Sequence, residues 1–282
     1  MFKIHYAGAF ITGTFALGLM STTALSADVD AGCTPAVSGL NGKLEGSAGY
    51  LEDEDNDGAR FHGVATLSLP LGCLIGAQID LAGGDLDGDG FFGAGGHLFI
   101  RDPESYLLGI HGQYIDLDGD DVFRVGPEFE LYLDQITISG ILGFEGVDNF
   151  DTDDVIGGIE ASYYITDNFK VGAGYRHYID LDVGALTMEF QPENFPLSIF
   201  ADAMAGSDDF ISVSGGFRFY FGGEDKSLIR RHREDDPSHI FNWLRKAGKK
   251  AAPVVCVDDP QTRIDECNPG GDDGGTGDDG GT

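Results

Sequence analysis

The chain has 282 residues, of which 41% are hydrophobic, and its 48 acidic and 17 basic residues give a formal net charge of -31. This excess of acid excludes nucleic acid as a partner, because phosphate binding requires clusters of Lys and Arg. With a mean hydropathy of -0.10, the chain shows no stretch after its N-terminal segment that is apolar enough for a membrane helix. A closed β-barrel is the other structure that crosses a bilayer, because its strands need apolar residues only at alternate positions.

The first 27 residues have the features of a secretory signal peptide. Lys3 precedes an apolar run over residues 7–20, and small residues then lead to Ala27. An anchoring helix is the alternative, but the run is shorter than the ~20 apolar residues of a membrane span, and glycines interrupt it. We predict cleavage after Ala27, with Ser26 as the other position that fits, and a periplasmic N-terminal segment over residues 28–37.

From Ser38 to Gly222 the chain repeats one unit, an alternating segment of about ten residues followed by a polar break. Within a segment every second residue is apolar or Gly, and we call the residues between them, which are mixed and often charged, the polar parity. Arg124, for example, lies between Phe123 and Val125. A period of two places these sets on opposite faces of a strand. The repeat predicts twelve strands, an even number as in single-chain bacterial barrels, near residues 40–51, 60–70, 74–83, 91–101, 106–116, 122–133, 136–145, 155–164, 169–179, 183–191, 197–205 and 210–221.

The polar breaks alternate in kind. Odd-numbered breaks are acidic, over residues 53–58, 83–90, 116–121, 147–154, 180–182 and 206–209, and even-numbered breaks are tight turns. We therefore expect acidic extracellular loops at one end of a barrel and short periplasmic turns at the other. A soluble β-sandwich or lipocalin-like barrel is the alternative. The polar parity carries both signs of charge, so it cannot form a dry core, and the export signal also favours a membrane barrel.

The last predicted strand, residues 214–221, reads SGGFRFYF. It resembles the C-terminal signal that presents Gram-negative outer-membrane proteins to the barrel-assembly machinery, in which a Gly precedes two alternating aromatics, here Gly216, Phe219 and Phe221. The resemblance implies an all-β, antiparallel up-and-down transmembrane barrel in the outer membrane. Its implied partners are membrane lipid, lipopolysaccharide and the assembly machinery. About sixty residues follow the signal where the pattern usually ends the chain, and the resemblance identifies neither a subfamily nor a function.

Four cysteines in an exported chain predict two disulfides, with three possible pairings. Cys33 lies just before the first strand and Cys73 lies in the turn after the second, so both fall at the periplasmic rim and we predict that they pair. Cys256 and Cys267 flank ten residues of the tail and are predicted to pair with each other. Free thiols are disfavoured in the oxidising periplasm, and a zinc site is disfavoured because no histidine neighbours the cysteines.

Three acidic breaks carry aspartates at alternate positions. This spacing resembles the first half of a calcium loop, in which such carboxylates converge on one cation. The twelfth positions hold Val64, Gly96 and Pro127 in place of the bidentate Glu, so EF-hands are excluded and weak calcium sites remain as one hypothesis. Solvated loops without metal are the alternative. No cofactor is required, and calcium is the one candidate, with the possible ligands Asp53, Asp55, Asp57, Asp85, Asp87, Asp89, Asp116, Asp118 and Asp120.

The polar parity of the strands is expected to face the lumen. The predicted lining residues are Lys43, Glu45, Arg101, Arg124, Glu128, Glu130, Glu160, Lys170, Arg176, Asp202 and Arg218, together with Gln78, His97, His111, Glu145 and Glu189. A twelve-stranded lumen lies between a filled eight-stranded barrel and an open sixteen-stranded porin. The charges could therefore pair across the axis and close the lumen, or line a narrow pore with modest cation preference. The sequence leaves both outcomes open.

Beyond the barrel, residues 223–282 are predicted to form a periplasmic tail. Asp236 and Pro237 can begin a helix near 237–250, with an apolar stripe and basic residues at its C-terminus. This helix could lie on anionic lipid, dock under the barrel as a partial plug, or be part of a mostly disordered linker. The Gly- and Asp-rich end, residues 268–282, is predicted to be disordered.

These observations lead us to expect a porin-like narrow pore or a structural outer-membrane barrel with acidic, calcium-binding loops. The alternative is an interaction or adhesion barrel that displays its loops to an external partner, and a surface hydrolase comes third. His177 with Asp180 and Asp182 is the one group that suggests catalysis, and no nucleophile motif accompanies it. We therefore expect no enzymatic activity. The solute, the external partner and the oligomeric state cannot be read from these residues.

Overall fold

The computed structural model describes residues 34–52, 57–86, 88–117, 120–147, 152–178, 181–207, 209–222 and 226–237. The predicted signal peptide, three of the four cysteines and the predicted helix beyond Pro237 lie outside these ranges. The described chain forms twelve strands, β1 (Asn41–Glu52), β2 (Asp57–Pro70), β3 (Ile75–Leu86), β4 (Asp89–Asp102), β5 (Tyr106–Leu117), β6 (Asp120–Leu133), β7 (Ile136–Val147), β8 (Thr152–Thr166), β9 (Phe169–Tyr178), β10 (Leu181–Phe190), β11 (Leu197–Gly206) and β12 (Ile211–Phe221).

Each strand pairs antiparallel with its neighbours in sequence, and β1 pairs with β12 to close the barrel. Closure leaves no unpaired sheet edge among the described strands, as a bilayer requires. The seam between β1 and β12 is tight at Gly216, where a Cβ would lie 2.1 Å from the carbonyl oxygen of Gly46. Phe219 and Phe221 of the predicted assembly signal face outward. Their role in assembly stays a prediction.

The exterior of the barrel is apolar. Outward positions carry large hydrophobic side chains that are about half exposed, such as Ile79, Leu98, Ile110 and Phe217. The alternate positions are buried and carry most of the charge. The two faces are therefore assigned as the alternation predicts, with the hydrophobic set on the side that lipid covers.

The predicted difference in length between loops and turns is wrong. At the end expected to be extracellular, which we call the acidic end, the connections span two to four residues. At the other end, which we call the turn end, they span two to six residues. Asp57, Asp85, Asp89 and Asp116 belong to strands. Aspartate and glycine favour loops, but pairing with a neighbouring strand satisfies the backbone and overrides that local preference.

Two segments outside the strands lie at the turn end. The chain leaves β12 at Gly222, whose φ of 75° suits a residue without a side chain. It then forms the helix α1 (Leu228–Glu234), in which Leu228 and Arg231 are buried. Ala36 and Val37, which precede β1, are also fully buried. We call residues 34–38 and 226–237 together the terminal plug.

The sequence patterns did not predict α1. Seven residues with one buried Leu and four charges give no apolar stripe, and the helix is ordered by its contacts with the barrel. The predicted helix near 237–250 lies outside the described residues apart from Pro237. No helix in the described part of the chain is long and apolar enough to cross a membrane.

Candidate functional site: the lumen and its terminal plug

The lumen is layered along the barrel axis. Near the acidic end most of its inward positions are apolar. This apolar layer comprises Leu51, Leu86, Phe91, Ile115, Val122, Ile156, Tyr178, Leu181 and Phe210, all buried. Arg60, buried in register with Leu86, is a charge at this level, and most other charged residues lie toward the middle of the barrel and the turn end. The change escaped the sequence reasoning because an apolar residue at an inward position looks the same as one that faces lipid.

A first ionic network centres on Arg218 of β12. Its Nε lies 2.6 Å from Oε2 of Glu45 on β1, and its Nη1 donates to Glu189 of β10. Glu189 also accepts from the hydroxyls of Ser198 and Tyr220 at 2.5 and 2.8 Å. The guanidinium carbon of Arg218 lies 4.0 Å from the centroid of the Phe200 ring. The network joins four strands, β1, β10, β11 and β12, and compensates charges that burial would otherwise make costly.

A second network lies on the opposite wall, around His97 of β4. The Nδ1 atom of His97 lies 2.7 Å from Glu128 Oε2, and its Nε2 atom lies 3.2 Å from Asp80 Oδ2. Asp80 also accepts from Thr66 and Gln78. Nearby, Arg124 donates to Glu145, while His111 and Gln113 are buried with side-chain nitrogen and oxygen atoms that have no hydrogen-bond partner in the described structure. These unpartnered polar atoms are the ones that water would have to satisfy.

The C-terminal part of the plug is held by buried ion pairs. Lys43 Nζ lies 2.5 Å from Asp236 Oδ2. Lys226 Nζ lies 2.7 Å from Asp235 Oδ1, and the same carboxylate accepts from Asn41 and Ser38 of the N-terminal part. The two halves of the plug are also joined through their backbones, since the Ser38 nitrogen donates to the Glu234 oxygen at 3.0 Å.

The helix contacts strands around much of the barrel. Arg231 donates to Gln191 at the end of β10, and the carbonyl of Arg233 accepts from Arg101 of β4 at 2.8 Å. His232 lies between two tyrosines, with Nδ1 2.8 Å from the hydroxyl of Tyr164 and Nε2 3.3 Å from that of Tyr220. These contacts reach β4, β8, β10 and β12, so α1 lies across the turn end of the lumen.

Two of the groups in α1 with shifted pKa values, His232 and Glu234, change charge between neutral and acid pH. Burial lowers the pKa of His232 below the ordinary histidine value, and the nearby Glu189 carboxylate offsets this effect only in part. Burial acts to raise the pKa of Glu234, but hydrogen bonds from Arg230 and Lys226 outweigh it and the pKa is lowered. At neutral pH the docked plug therefore holds a neutral histidine and an ionised Glu234.

The predicted lining residues all lie on inward positions of the strands. Lys43, Glu45, Arg101, Arg124, Glu128, Glu130, Arg176 and Arg218 are buried, and Glu160, Lys170 and Asp202 are partly buried. Many of them surround a polar chamber of about 120 Å³ whose floor includes His232, Arg233 and Asp236 of the plug. That they line an open pore stays a prediction.

At the acidic end, three tyrosines donate to aspartates across a hairpin. Tyr50 donates to Asp57 at 3.1 Å, and Tyr114 to Asp121 at 2.6 Å. Tyr175 donates to Oδ1 of Asp182 at 2.5 Å, and Nδ1 of His177 lies 2.7 Å from the same oxygen. The tyrosines sit where an interfacial girdle belongs, and their hydroxyls are anchored to the rim. The pattern, a Tyr seven residues before an Asp, is visible in the sequence but was not recognised there.

The predicted calcium ligands are only partly covered. Asp53, Asp55, Asp87 and Asp118 and the side chain of Asp120 lie outside the described residues. Asp85 Oδ1 accepts a hydrogen bond from the Gly88 nitrogen at 2.8 Å. Within the described ranges, no group of three or more His, Cys, Asp or Glu side chains is arranged to hold a metal ion. Calcium binding stays a prediction.

Cys73 is the one cysteine among the described residues, and it is disulfide-bonded. Its partner, which must be Cys33, Cys256 or Cys267, lies outside them. The backbone nitrogen of Ala36 donates to the carbonyl oxygen of Cys73 at 2.8 Å, so the chain passes Cys73 only three residues after Cys33. This geometry favours the predicted pairing with Cys33 without deciding it.

A closed antiparallel barrel with an apolar exterior and a charged interior defines the class of outer-membrane β-barrels. This chain has the fold of an outer-membrane β-barrel, and solved structures with a similar fold include porins, a phospholipase and an autotransporter translocator domain. No family model and no curated protein matches its sequence.

Three solved structures illustrate the likeness. The KdgM porin in complex with disordered oligogalacturonate has a TM-score of 0.50 and 5% identity, covering 64% of this chain and 99% of its own. Omp33 of Acinetobacter baumannii has a TM-score of 0.43 and 13% identity, covering 65% and 100%. The calcium-bound phospholipase OMPLA of Salmonella typhi has a TM-score of 0.46 and 9% identity, covering 66% and 92%. At these identities the likeness concerns the fold alone.

Proposed function

We propose that this protein is a narrow, porin-like channel that its own terminal plug holds closed. The observation that carries the proposal is the seating of residues 226–237 inside the turn end of the lumen. There Lys43, Asn41, Arg101 and Gln191 of the barrel bond to the segment. A lumen occupied in this way does not pass solutes until the segment moves.

The chemistry of the plug interface supports a gate over a permanent core. Residues 226–237 meet the barrel largely through ion pairs and hydrogen bonds, and these groups can be hydrated when the surfaces separate. Apolar contacts among the described residues include Leu228 against Tyr164 and Tyr220, and Ala36 and Val37 in a cluster with Phe99 and Leu107. Separating an apolar interface would instead expose apolar surface to water, which is unfavourable in proportion to its area. The lumen above the plug is also charged, as Arg218, Lys170 and Glu160 illustrate, and would fill with water once opened. The apolar layer near the acidic end would act as a second constriction, of the kind that gates by dewetting.

The proposed orientation places the turn end in the periplasm. Both ends of the strand sequence, the start of β1 and the end of β12, lie there together with the plug. A gate on that side would respond to periplasmic conditions. The connections at the acidic end are short, with two to four residues between strands. They leave little loop to display to an external partner, so the adhesion alternative is less well supported.

Single-channel recording from the refolded full chain in a planar bilayer tests the proposal. We expect a mostly silent wild type with rare, small steps. The double variant Asp235→Ala with Asp236→Ala removes the carboxylates that hold Lys226, Lys43 and Asn41, and should open far more often. The matched control is Asp134→Asn, which removes one negative charge in the turn between β6 and β7.

Two results would overturn the proposal. A wild type that conducts steadily would mean that the plug does not close the lumen. A double variant that inserts as a folded barrel, loses protection of residues 226–237 from protease and still stays silent would mean a sealed structural barrel.

We also propose, from the aspartate spacing alone, weak calcium binding at the acidic end. Calorimetry on the folded protein should show calcium uptake that Asp85→Asn with Asp87→Asn reduces. The absence of heat at millimolar calcium would exclude such sites.

A further inference from the structure

The polar chamber above α1 is lined by inward residues of β1 and of β6 to β12 and by residues of the plug. Gly158 of β8 is among the lining residues and adds no side chain to fill the space. The chamber has a volume of about 120 Å³ and is only partly enclosed. A polar space therefore remains at this level of the lumen instead of a filled core.

Two charged side chains that line this chamber have no direct partner. Lys170 of β9 and Asp202 of β11 make no hydrogen bond and no ion pair with any residue that the structure describes. The other charged groups nearby are engaged, for example Lys43 with Asp236 and Arg218 with Glu45. Longer-range electrostatics connect Asp202 to Arg218 and Arg176 and, more weakly, to Lys170, while Lys170 acts in the same way on Glu160 and Glu189.

Both charges project into the same space from strands that flank β10. Asp202 pairs in register with Thr187 of β10, and Lys170 pairs with Glu189 two residues further along that strand. Adjacent strands lie about 4.8 Å apart, so the two backbones stand roughly 10 Å or more from each other. The side chains thus approach the chamber from separate sides. A charge in such a space needs a partner of opposite sign or a strong hydrogen-bonding one.

We propose that the chamber binds a small zwitterion, with a carboxylate at Lys170 and an amine at Asp202. A chamber of about 120 Å³ suits a small, amino-acid-like solute. A simple anion would leave Asp202 facing a like charge, and a simple cation would do the same to Lys170. Hydroxyls of Ser139, Ser162 and Thr187 complete a polar lining.

This inference names the class of solute for the channel proposed above and rests on that function. Binding can nevertheless be measured without conduction. A full chain that binds the zwitterion but stays silent in every bilayer experiment would refute the channel and leave the site. A channel that opens as expected without any binding would refute the site alone.

The test is calorimetry of the refolded full chain in detergent with glycine and β-alanine as probes, after incubation long enough to reach the chamber. Acetate and methylammonium serve as single-charge controls. We expect saturable binding of the zwitterions at millimolar concentration and much weaker binding of either control. Lys170→Met and Asp202→Asn should each weaken zwitterion binding tenfold or more.

Further variants guard against loss of folding. Lys170→Arg keeps the charge and should retain most of the binding. Arg230→Gln and Asp134→Asn remove charges outside the chamber and should bind like the wild type. The proposal is overturned by the absence of saturable binding, by acetate that binds as tightly as glycine, or by zwitterion binding that survives both Lys170→Met and Asp202→Asn.

Discussion

Lys43 on the first strand and Asp236 beyond the C-terminal helix form a buried ion pair, with Nζ 2.5 Å from Oδ2. The two residues are 193 positions apart in the chain. Lys43 pairs in register with Tyr220 of β12, so the ion pair lies at the seam where the barrel closes. One contact thus ties the terminal plug to the junction of the first and last strands.

Lys43→Met should loosen the plug and leave the barrel folded. Removing one partner leaves Asp236 buried without its counter-ion, and such a loss costs about 3–5 kcal/mol. The readout is brief trypsin digestion with mass spectrometry, following cleavage after Arg231 and Arg233. Cleavage at both sites should accelerate strongly. The double variant Lys43→Met with Asp236→Leu restores an uncharged contact and should regain part of the protection; unchanged cleavage in the single variant would contradict the plug arrangement.

Mild acid should release the plug through His232. Released histidine takes up a proton below about pH 6.5, whereas burial lowers the pKa of the docked side chain. The released state therefore binds more protons, and docking loses stability as the pH falls through the ordinary histidine value. Glu234, whose pKa is lowered, adds a second loss in stronger acid. Charges facing His232 include Glu189, Lys170 and Asp236.

Proteinase K cleavage of residues 226–237, normalised to an unfolded peptide of the same sequence, measures this effect. Cleavage of the wild type should increase between about pH 7.5 and 5.5. His232→Gln keeps a hydrogen-bonding side chain near Tyr164 but cannot ionise, and its cleavage should be nearly flat over the same range. A variant that retains the full pH dependence would assign the effect to another group.

Arg218→Met should destabilise the barrel itself. It removes the partner of both Glu45 and Glu189 and leaves two buried carboxylates, so we expect a loss of about 3–5 kcal/mol. Urea unfolding in detergent, followed by the far-ultraviolet circular dichroism of the β-sheet, provides the measurement. Arg230→Met is the matched control, because its ion pair with Glu234 is exposed at the arginine and such pairs contribute only about 0–1 kcal/mol. Equal midpoints for the two variants would show that the Arg218 network is not needed for stability.

The disulfide of Cys73 should join it to Cys33. Peptide mass spectrometry without reductant is expected to recover this link in the mature protein. Cys73→Ser should lower the free energy of unfolding, measured in urea, by about 2–4 kcal/mol. The serine variant should also expose residues 34–38 to protease, because the bond would anchor that half of the plug. A link from Cys73 to Cys256 or Cys267 would contradict the pairing.

The number of strands, their faces and the closure of the barrel follow from local patterns. Alternation such as Phe123, Arg124 and Val125 reports which face meets lipid, because a strand has a period of two. The strand near 183–191 was found as β10, at Leu181–Phe190. The same period of two predicts that Lys43, Arg218 and the other predicted lumen residues point inward. The lengths of the loops could not be predicted in this way, because Asp85 and Asp116 favour loops locally yet pair as strand residues.

What the sequence determined by itself is therefore the barrel and the sidedness of each strand, since both depend on neighbours in sequence. Only the tertiary structure decided that Arg218 meets Glu45 and Glu189, that apolar residues line the lumen near the acidic end, and that α1 lies in the other end. These features join strands that lie far apart in the chain, and α1 has no amphipathic stripe of its own. Its order comes from buried ion pairs and hydrogen bonds to the barrel wall, which exist only after the barrel has closed.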